Sequence, residues 1–342
     1  MVAAAAGAPT VRAMHPSTTP PATPPAIATT APHPAPPPAP VTALPGGQHL
    51  LAAGTVTDLV HDYGAARISP WLTALPSLVT AAAADWQLTV TGALPAGCAS
   101  CVLLVQSAPG SPAAGRTAVL KITPDIDRSR RELAAAAEYA ATGCGPRVLA
   151  AGHDHAAGAY LALLEHLPGP GTLRDTPSPG TRQLRAALRD VLAAVRAAGQ
   201  QPVTEPLPDL DGMLHARLAQ RRTDPDRYGP PATDPQRAHA AAVLTDLRPG
   251  IPAGVWVHGD LHPGNLLWTE TGRLAVIDAN PHHGDPAYDL AVLLLKRRRH
   301  TDAHPADMAA AVRDARRLAV LTGHDPDRVL AWMVVETAGR LP

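Results

Sequence analysis

The stretch "VHGDLHPGNLLW", Val257 to Trp268, decides the reading of this chain, because it gathers two histidines, an aspartate and an asparagine between His258 and Asn265. Zinc is the first chemistry to test. His258 and His262 are four apart, as two ligands on one helical turn would be, but Gly259, Pro263 and Gly264 oppose a continuous helix there. A helical zinc pair of the HExxH kind also needs a glutamate beside its first histidine, where this chain has Gly259. A polar loop accounts for more of the residues.

The apolar "GVWV" precedes the loop, and "NLLW", the turn "TETG" and "RLAVID" after it predict a hairpin ending at Asp278. Strand, loop, hairpin and a terminal acid would bring Asp260, Asn265 and Asp278 to one rim. Those are the parts of a phosphoryl-transfer site. One carboxylate accepts a hydroxyl proton, while a carboxamide and a second carboxylate hold magnesium against nucleotide phosphates. Magnesium prefers this all-oxygen set to imidazole.

Working outward, residues 46–166 read as short strands with one helix. "CVLLVQS" and "RTAVLKIT" predict an antiparallel pair, "SRRELAAAAEYAATG" a helix closed by Gly143, and "RVLAAG" and "AYLALLEHL" two further strands. "LPGPGTL" then marks a hinge, and residues 167–342 read as mainly helical. In "TRQLRAALRDVLAAVRAAGQ", Leu184, Leu188, Val191, Leu192 and Val195 form one apolar stripe. Further helices are predicted at about 286–299, 305–322 and 326–338, the first and last opened by Asp285-Pro286 and Asp325-Pro326 as cap and first helical residue. Residues 1–45 hold 13 prolines and, Arg12 apart, no Asp, Glu, Lys or Arg, which predicts a disordered or polyproline tail without chemistry.

Three cysteines, Cys98, Cys101 and Cys144, are too few for a disulfide scaffold. "CASC" has the spacing of a redox pair or half a zinc site, but it leads into a strand rather than opening a helix, and no second CxxC completes a zinc set. A structural role is the expectation. Lys plus Arg and Asp plus Glu both number 29, so no global field draws nucleic acid or an anionic membrane. No apolar run is long enough to span a bilayer and the N-terminus lacks the pattern of a signal peptide, so a cytoplasmic protein is expected.

"HGDLHPGN" resembles the catalytic loop of the protein-kinase-like fold, in the Gly-for-Arg form of aminoglycoside phosphotransferases. "VID" stands where that family keeps its metal-binding aspartate, "GDPAYDLA" matches the element that follows, and "AVLKI" resembles the strand that carries its lysine. The likeness covers about 86–338. Within the family it is strongest to the streptomycin 6-kinase type, the aminoglycoside and hydroxyurea resistance kinases, through "W-x-L" at Trp86, "VLKI", "LALLEHLPG", "HGDLHPGNLL" and "IDANPHHGDPAYDLA". The resemblance implies an α+β, bilobal fold with a small antiparallel-sheet N-lobe over 46–166 and a larger, mainly helical C-lobe. It implies an ATP- and Mg²⁺-dependent kinase acting on a small-molecule hydroxyl.

Residue by residue, the resemblance implies Asp260 as catalytic base and Asn265 and Asp278 as ligands of magnesium. It makes Lys121 the partner of the α and β phosphates and Glu132, 11 residues on, the ion-pair partner of Lys121, with Glu138 as the rival on the same helix. His258 and Asp289 support the loop, His262 is a weaker candidate for phosphate contact, and Asp285 stands behind the site. Leu164 to Leu167, Glu165 among them, would present backbone groups to adenine. Two departures from the kinase pattern stand out. "GALPAGCASCV" replaces the glycine-rich loop, leaving Gly92, Gly97 and Ser100 as candidate phosphate contacts, and "DAN" replaces "DFG". A polycationic aminoglycoside such as streptomycin is the expected acceptor, and its site should draw on carboxylates from Glu205, Asp209, Asp211, Asp224, Asp226, Asp285 and Glu336. Another alcohol acceptor, or a nucleotide-binding module without turnover, are the alternatives.

Overall fold

The computed structural model describes residues 50–94, 100–176, 180–219, 232–297 and 305–340. The expected N-terminal tail, Gly97, Cys98, Asp224 and Asp226 lie outside these residues. Two helices come first, α1 (Ala53–Tyr63) and α2 (Ala65–Asp85). The sequence reading gave residues 46–166 a single helix, the later "SRRELAAAAEYAATG", so both of these are a correction. Pro70 and Pro76, which argue against a helix interior, lie inside α2. Its stripe of Ile68, Trp71, Leu75, Leu78, Val79 and Ala82 is buried, and each such large side chain contributes about 2 kcal/mol on leaving water. That outweighs the local preference.

Strands β1 (Leu88–Ala93), β2 (Cys101–Ser107), β3 (Thr117–Thr123), β4 (Val148–Asp154) and β5 (Ala159–Glu165) form one antiparallel sheet in the order β1-β2-β3-β5-β4. Alternation along β3 divides its side chains between the two faces. Ala118, Leu120 and Ile122 join the core under α2, and Lys121 points to the opposite face, which α3 (Ile126–Ala141) crosses. Asp125 caps α3 by accepting from Arg128 N, and Gly143 follows its end at φ +70°.

After β6 (Gly171–Thr172) the chain is mainly helical: α4 (Thr181–Ala198), α5 (Leu210–Ala219), α6 (Asp234–Leu247), α7 (Pro286–Arg297), α8 (Pro305–Leu321) and α9 (Pro326–Arg340). The α4 stripe is buried as expected. The caps are present too. Asp285 accepts from Ala287 N and Asp325 from Asp327 N, both at 2.9 Å. Between α6 and α7 the predicted hairpin is present as β8 (Leu266–Trp268) and β9 (Leu274–Val276), and β7 (Trp256–Val257) pairs with β10 (His282–His283). The opening stretch therefore joins two short antiparallel pairs. Among the described residues no helix is long and apolar enough to cross a membrane.

Candidate active site

The loop after β7 is held almost wholly by backbone contacts. Asp289 on α7 accepts from His258 N at 2.7 Å and Gly259 N at 2.9 Å, clamping the first two loop residues. Gly259 has φ +76°, and a Cβ there would lie 2.0 Å from the Asn280 carbonyl oxygen, so only glycine fits. His258 is fully buried, with Nε2 3.0 Å from Ile277 O and Nδ1 accepting from Asp260 N at 3.3 Å. Both nitrogens are thus engaged within the protein. Burial holds this imidazole below its usual pKa against the pull of Asp260, so it is a neutral support and no zinc ligand.

His262 caps the short turn Pro263–Asn265 by accepting from Gly264 N at 3.1 Å, and Arg174 Nη2 lies 3.3 Å from the same Nδ1. Burial, only partly offset by Asp260, pushes its pKa down to about 4. It is neutral near pH 7 and supplies no cation to a phosphate. Asn265 Nδ2 donates to the main-chain oxygens of Asp260 at 3.0 Å and Asp278 at 3.4 Å. One carboxamide thereby ties the two acidic positions together, with its own oxygen directed away from those two carbonyls. Asp278 holds the left-handed conformation at φ +61°, which aspartate tolerates better than most residues with a side chain.

From the sheet side, Lys121 Nζ lies 2.5 Å from both Glu132 Oε1 and Asp278 Oδ1. This settles Glu132, rather than Glu138, as the partner on α3. Burial alone would depress the Lys121 ammonium, but Asp278 and then Glu132 outweigh it and raise the pKa above its usual range. Burial raises Glu132 against the same lysine, whereas at Asp278 the lysine overcomes burial and lowers the value. The negative charge is therefore most secure on Asp278, which remains 33% exposed. Ser100, Thr123, Arg128 and Tyr63 line the same small cavity as these three residues. Gly92 lies on β1, outside that lining.

Some expected roles change. Asp285 does not reach the loop; its carboxylate receives Arg328 and Trp332 from α9, so it fastens α7 to α9 and is not open to an acceptor. Asp211 is already paired with Arg248, and Glu336 is buried and accepts from Tyr288 Oη, so neither offers an unpaired surface carboxylate. Glu165 pairs with Arg147, and its N–H donates to Arg147 O at 2.9 Å, which removes that donor from an adenine edge. Cys101 is a buried strand residue whose thiol burial pushes up to about 12, far from a reactive thiolate.

One site residue had no sequence signal. Lys296 on α7 lies with Nζ 2.7 Å from Asp260 Oδ1. In "LLLKRRRH" it is one of four adjacent cations, and nothing in their spacing marks it out.

A sequence profile of the phosphotransferase enzyme family matches residues 108–330. The chain belongs to this family. It is 31% identical over 274 residues to the streptomycin 6-kinase of Streptomyces glaucescens, covering 79% of this chain and 82% of that protein. The fold matches aminoglycoside phosphotransferase APH(4)-Ia, solved with ADP and hygromycin B, at a TM-score of 0.51 and 21% identity over 74% of this chain and 86% of that one. It also matches APH(3'')-Id of Streptomyces rimosus, solved with ADP and streptomycin, at 0.50 and 21% over 78% and 98%. The α+β, protein-kinase-like expectation is borne out, and the phosphotransferase is a small-molecule kinase.

Proposed function

We propose that this phosphotransferase moves the γ-phosphoryl group of ATP to a hydroxyl of an aminoglycoside of the streptomycin class, with antibiotic resistance as its role. The observation that carries the chemistry is the meeting of Lys121, Asp260, Asn265 and Asp278 from a sheet strand, a loop and a hairpin end. Asp260 accepts the proton of the acceptor hydroxyl as its oxygen bonds to the γ-phosphorus, and the bond from that phosphorus to the bridging oxygen breaks to release ADP. Asn265 and Asp278 offer the oxygen donors magnesium prefers, and magnesium, when bound, offsets the charge of the phosphates. Lys121, kept charged by Asp278 and Glu132, neutralises the phosphates from the sheet side. In two lobes divided near residue 167, the nucleotide would lie between sheet and loop.

The identity of the acceptor is supported by the streptomycin 6-kinase likeness. Of the acids expected to receive a polycation, Glu205 and Asp209 keep this role among the described residues. Asp209 is exposed and bridges His283 beside the catalytic loop. The deciding experiment measures ADP release from ATP and Mg²⁺ with streptomycin, other aminoglycosides, amino alcohols and sugars. Phosphorylated streptomycin is expected, and Asp260→Ala should lower kcat by about 10² or more, as loss of a general base does. Turnover of a neutral alcohol alone would overturn the acceptor. Nucleotide binding without any ADP release would make the protein a binding module.

A further inference from the structure

The main chain of Asp260 is placed without help from Lys296. It is fixed by His258 Nδ1 on its N–H and by Asn265 on its oxygen. The ammonium at 2.7 Å from Oδ1 therefore acts on the carboxylate alone, holding that oxygen and adding charge beside it. On a general base that charge by itself is a disadvantage, because a neighbouring cation weakens the carboxylate's hold on a proton. A second anion entering beside the carboxylate turns that charge to advantage.

The geometry of α7 shows how deliberate the placement is. Lys296 is seven residues after Asp289, two helical turns or about 10.5 Å along the same face. Asp289 holds the start of the loop by its backbone, and Lys296 reaches its reactive carboxylate. Lys121 does the equivalent on the opposite side, at Asp278. Asn265 binds the main chains of both aspartates, so the two lysines flank one short gap. Lys296 is 17% exposed in its side chain, enough for the ammonium to meet a ligand entering that gap.

The phosphoryl group has to cross that gap, from the side of Asp278 to the side of Asp260. An ammonium carries three donors and can hold a carboxylate and a phosphoryl oxygen together. We propose that Lys296 bridges Asp260 and the γ-phosphoryl group, acting as a catalytic cation supplied by α7. The inference rests on the phosphotransferase reading above. As the phosphoryl passes, its equatorial oxygens gather charge, and a fixed donor there lowers the barrier while the proton still goes to Asp260.

The test compares nucleotides that differ only at this group. Binding of ADP and of a non-hydrolysable ATP analogue is measured with Mg²⁺ by calorimetry for wild type, Lys296→Met and Lys296→Arg. Lys296→Met should weaken the ATP analogue by about tenfold, as loss of one charge-assisted hydrogen bond does, and leave ADP within about twofold. Its kcat should fall by about 10². Lys296→Arg should restore most of the preference for the triphosphate. If Lys296→Met does not fold, Lys296→Gln carries the same comparison. Equal losses for both nucleotides, or no loss for either, overturn the proposal and leave the phosphotransferase reading intact. A wild-type protein that binds neither nucleotide overturns both.

Discussion

The two halves of the site are held in different ways. On the sheet side, Lys121 is fixed by charge, between Glu132 and Asp278 at 2.5 Å each, in a setting where burial penalises every ion. On the loop side, the chain around Asp260 is fixed by hydrogen bonds to its backbone, from Asp289, His258 and Asn265. A phosphate-binding lysine has only to stay charged and near, and an ion pair meets that need with little demand on angle. A general base has to present one oxygen to one proton, and this needs a rigid main chain. The sheet half is therefore sensitive to loss of a charge, and the loop half to loss of an acceptor.

Glu132→Gln tests the sheet half with the largest expected effect. It keeps the volume and removes the charge. Breaking a buried ion pair costs about 3 kcal/mol or more, and the lower figure applies because Asp278 still faces Lys121. Urea denaturation should show that loss, and the KM for ATP should rise more than kcat falls. Stability within about 0.5 kcal/mol of wild type would show that Asp278 alone suffices. Asp289→Asn tests the loop half and should cost less. One of the N–H groups of His258 and Gly259 would then face an amide NH₂ and lose its acceptor, at about 2 kcal/mol. Here kcat should fall while the KM for ATP changes little, the reverse of the sheet variant. If both variants gave the same kinetic pattern, the distinction between the halves would be lost.

The same difference explains what was legible in the sequence. The loop half is compact in the chain, so Gly259, Asp260 and Asn265 form a readable pattern, and its geometry gives each type a reason: a positive φ, an acceptor, an amide joining two carbonyls. Lys121 and Glu132 were legible through the family resemblance of "AVLKI", and alternation along β3 with a short connection to α3 is the physical reason that they meet. Lys296 was not, since it is 36 residues from Asp260 and its role depends on how α7 lies across the loop. Asp285 was half legible. Its cap on α7 followed from Asp-Pro, but Arg328 and Trp332 come from α9, and no local rule joins the two helices. Helix α2 was hidden by Pro70 and Pro76, because tertiary burial of Trp71 and its neighbours overrides a local signal.

The smallest expected effect concerns the cap of the loop, and it is read from acid rather than from activity. His262 has a pKa of about 4 in the folded protein, against 6.5 as its ordinary value, because burial outweighs the attraction of Asp260. A depressed value means that its contribution to stability is present above pH 6.5 and is lost as the pH falls toward 4, when the unfolded chain takes up the proton first. The charged groups around it are Asp260, Lys296 and Arg174, and they leave that sign unchanged. Asp289, which burial pushes up to about 7, works in the opposite sense over the same window, and His282, also near 4, works with His262. The wild-type curve alone thus mixes several groups. His262→Asn separates one of them, because an asparagine oxygen can still accept from Gly264 N while nothing titrates. At pH 7 the variant should be slightly less stable, through the lost contact with Arg174. Over the first unit of that fall, from pH 6.5 to about 5.5, it should lose less than wild type, by about 1 kcal/mol in denaturation free energy. Parallel curves for the two proteins would mean that the imidazole is as easily protonated in the folded loop as in the unfolded chain, and that the cap is open to water.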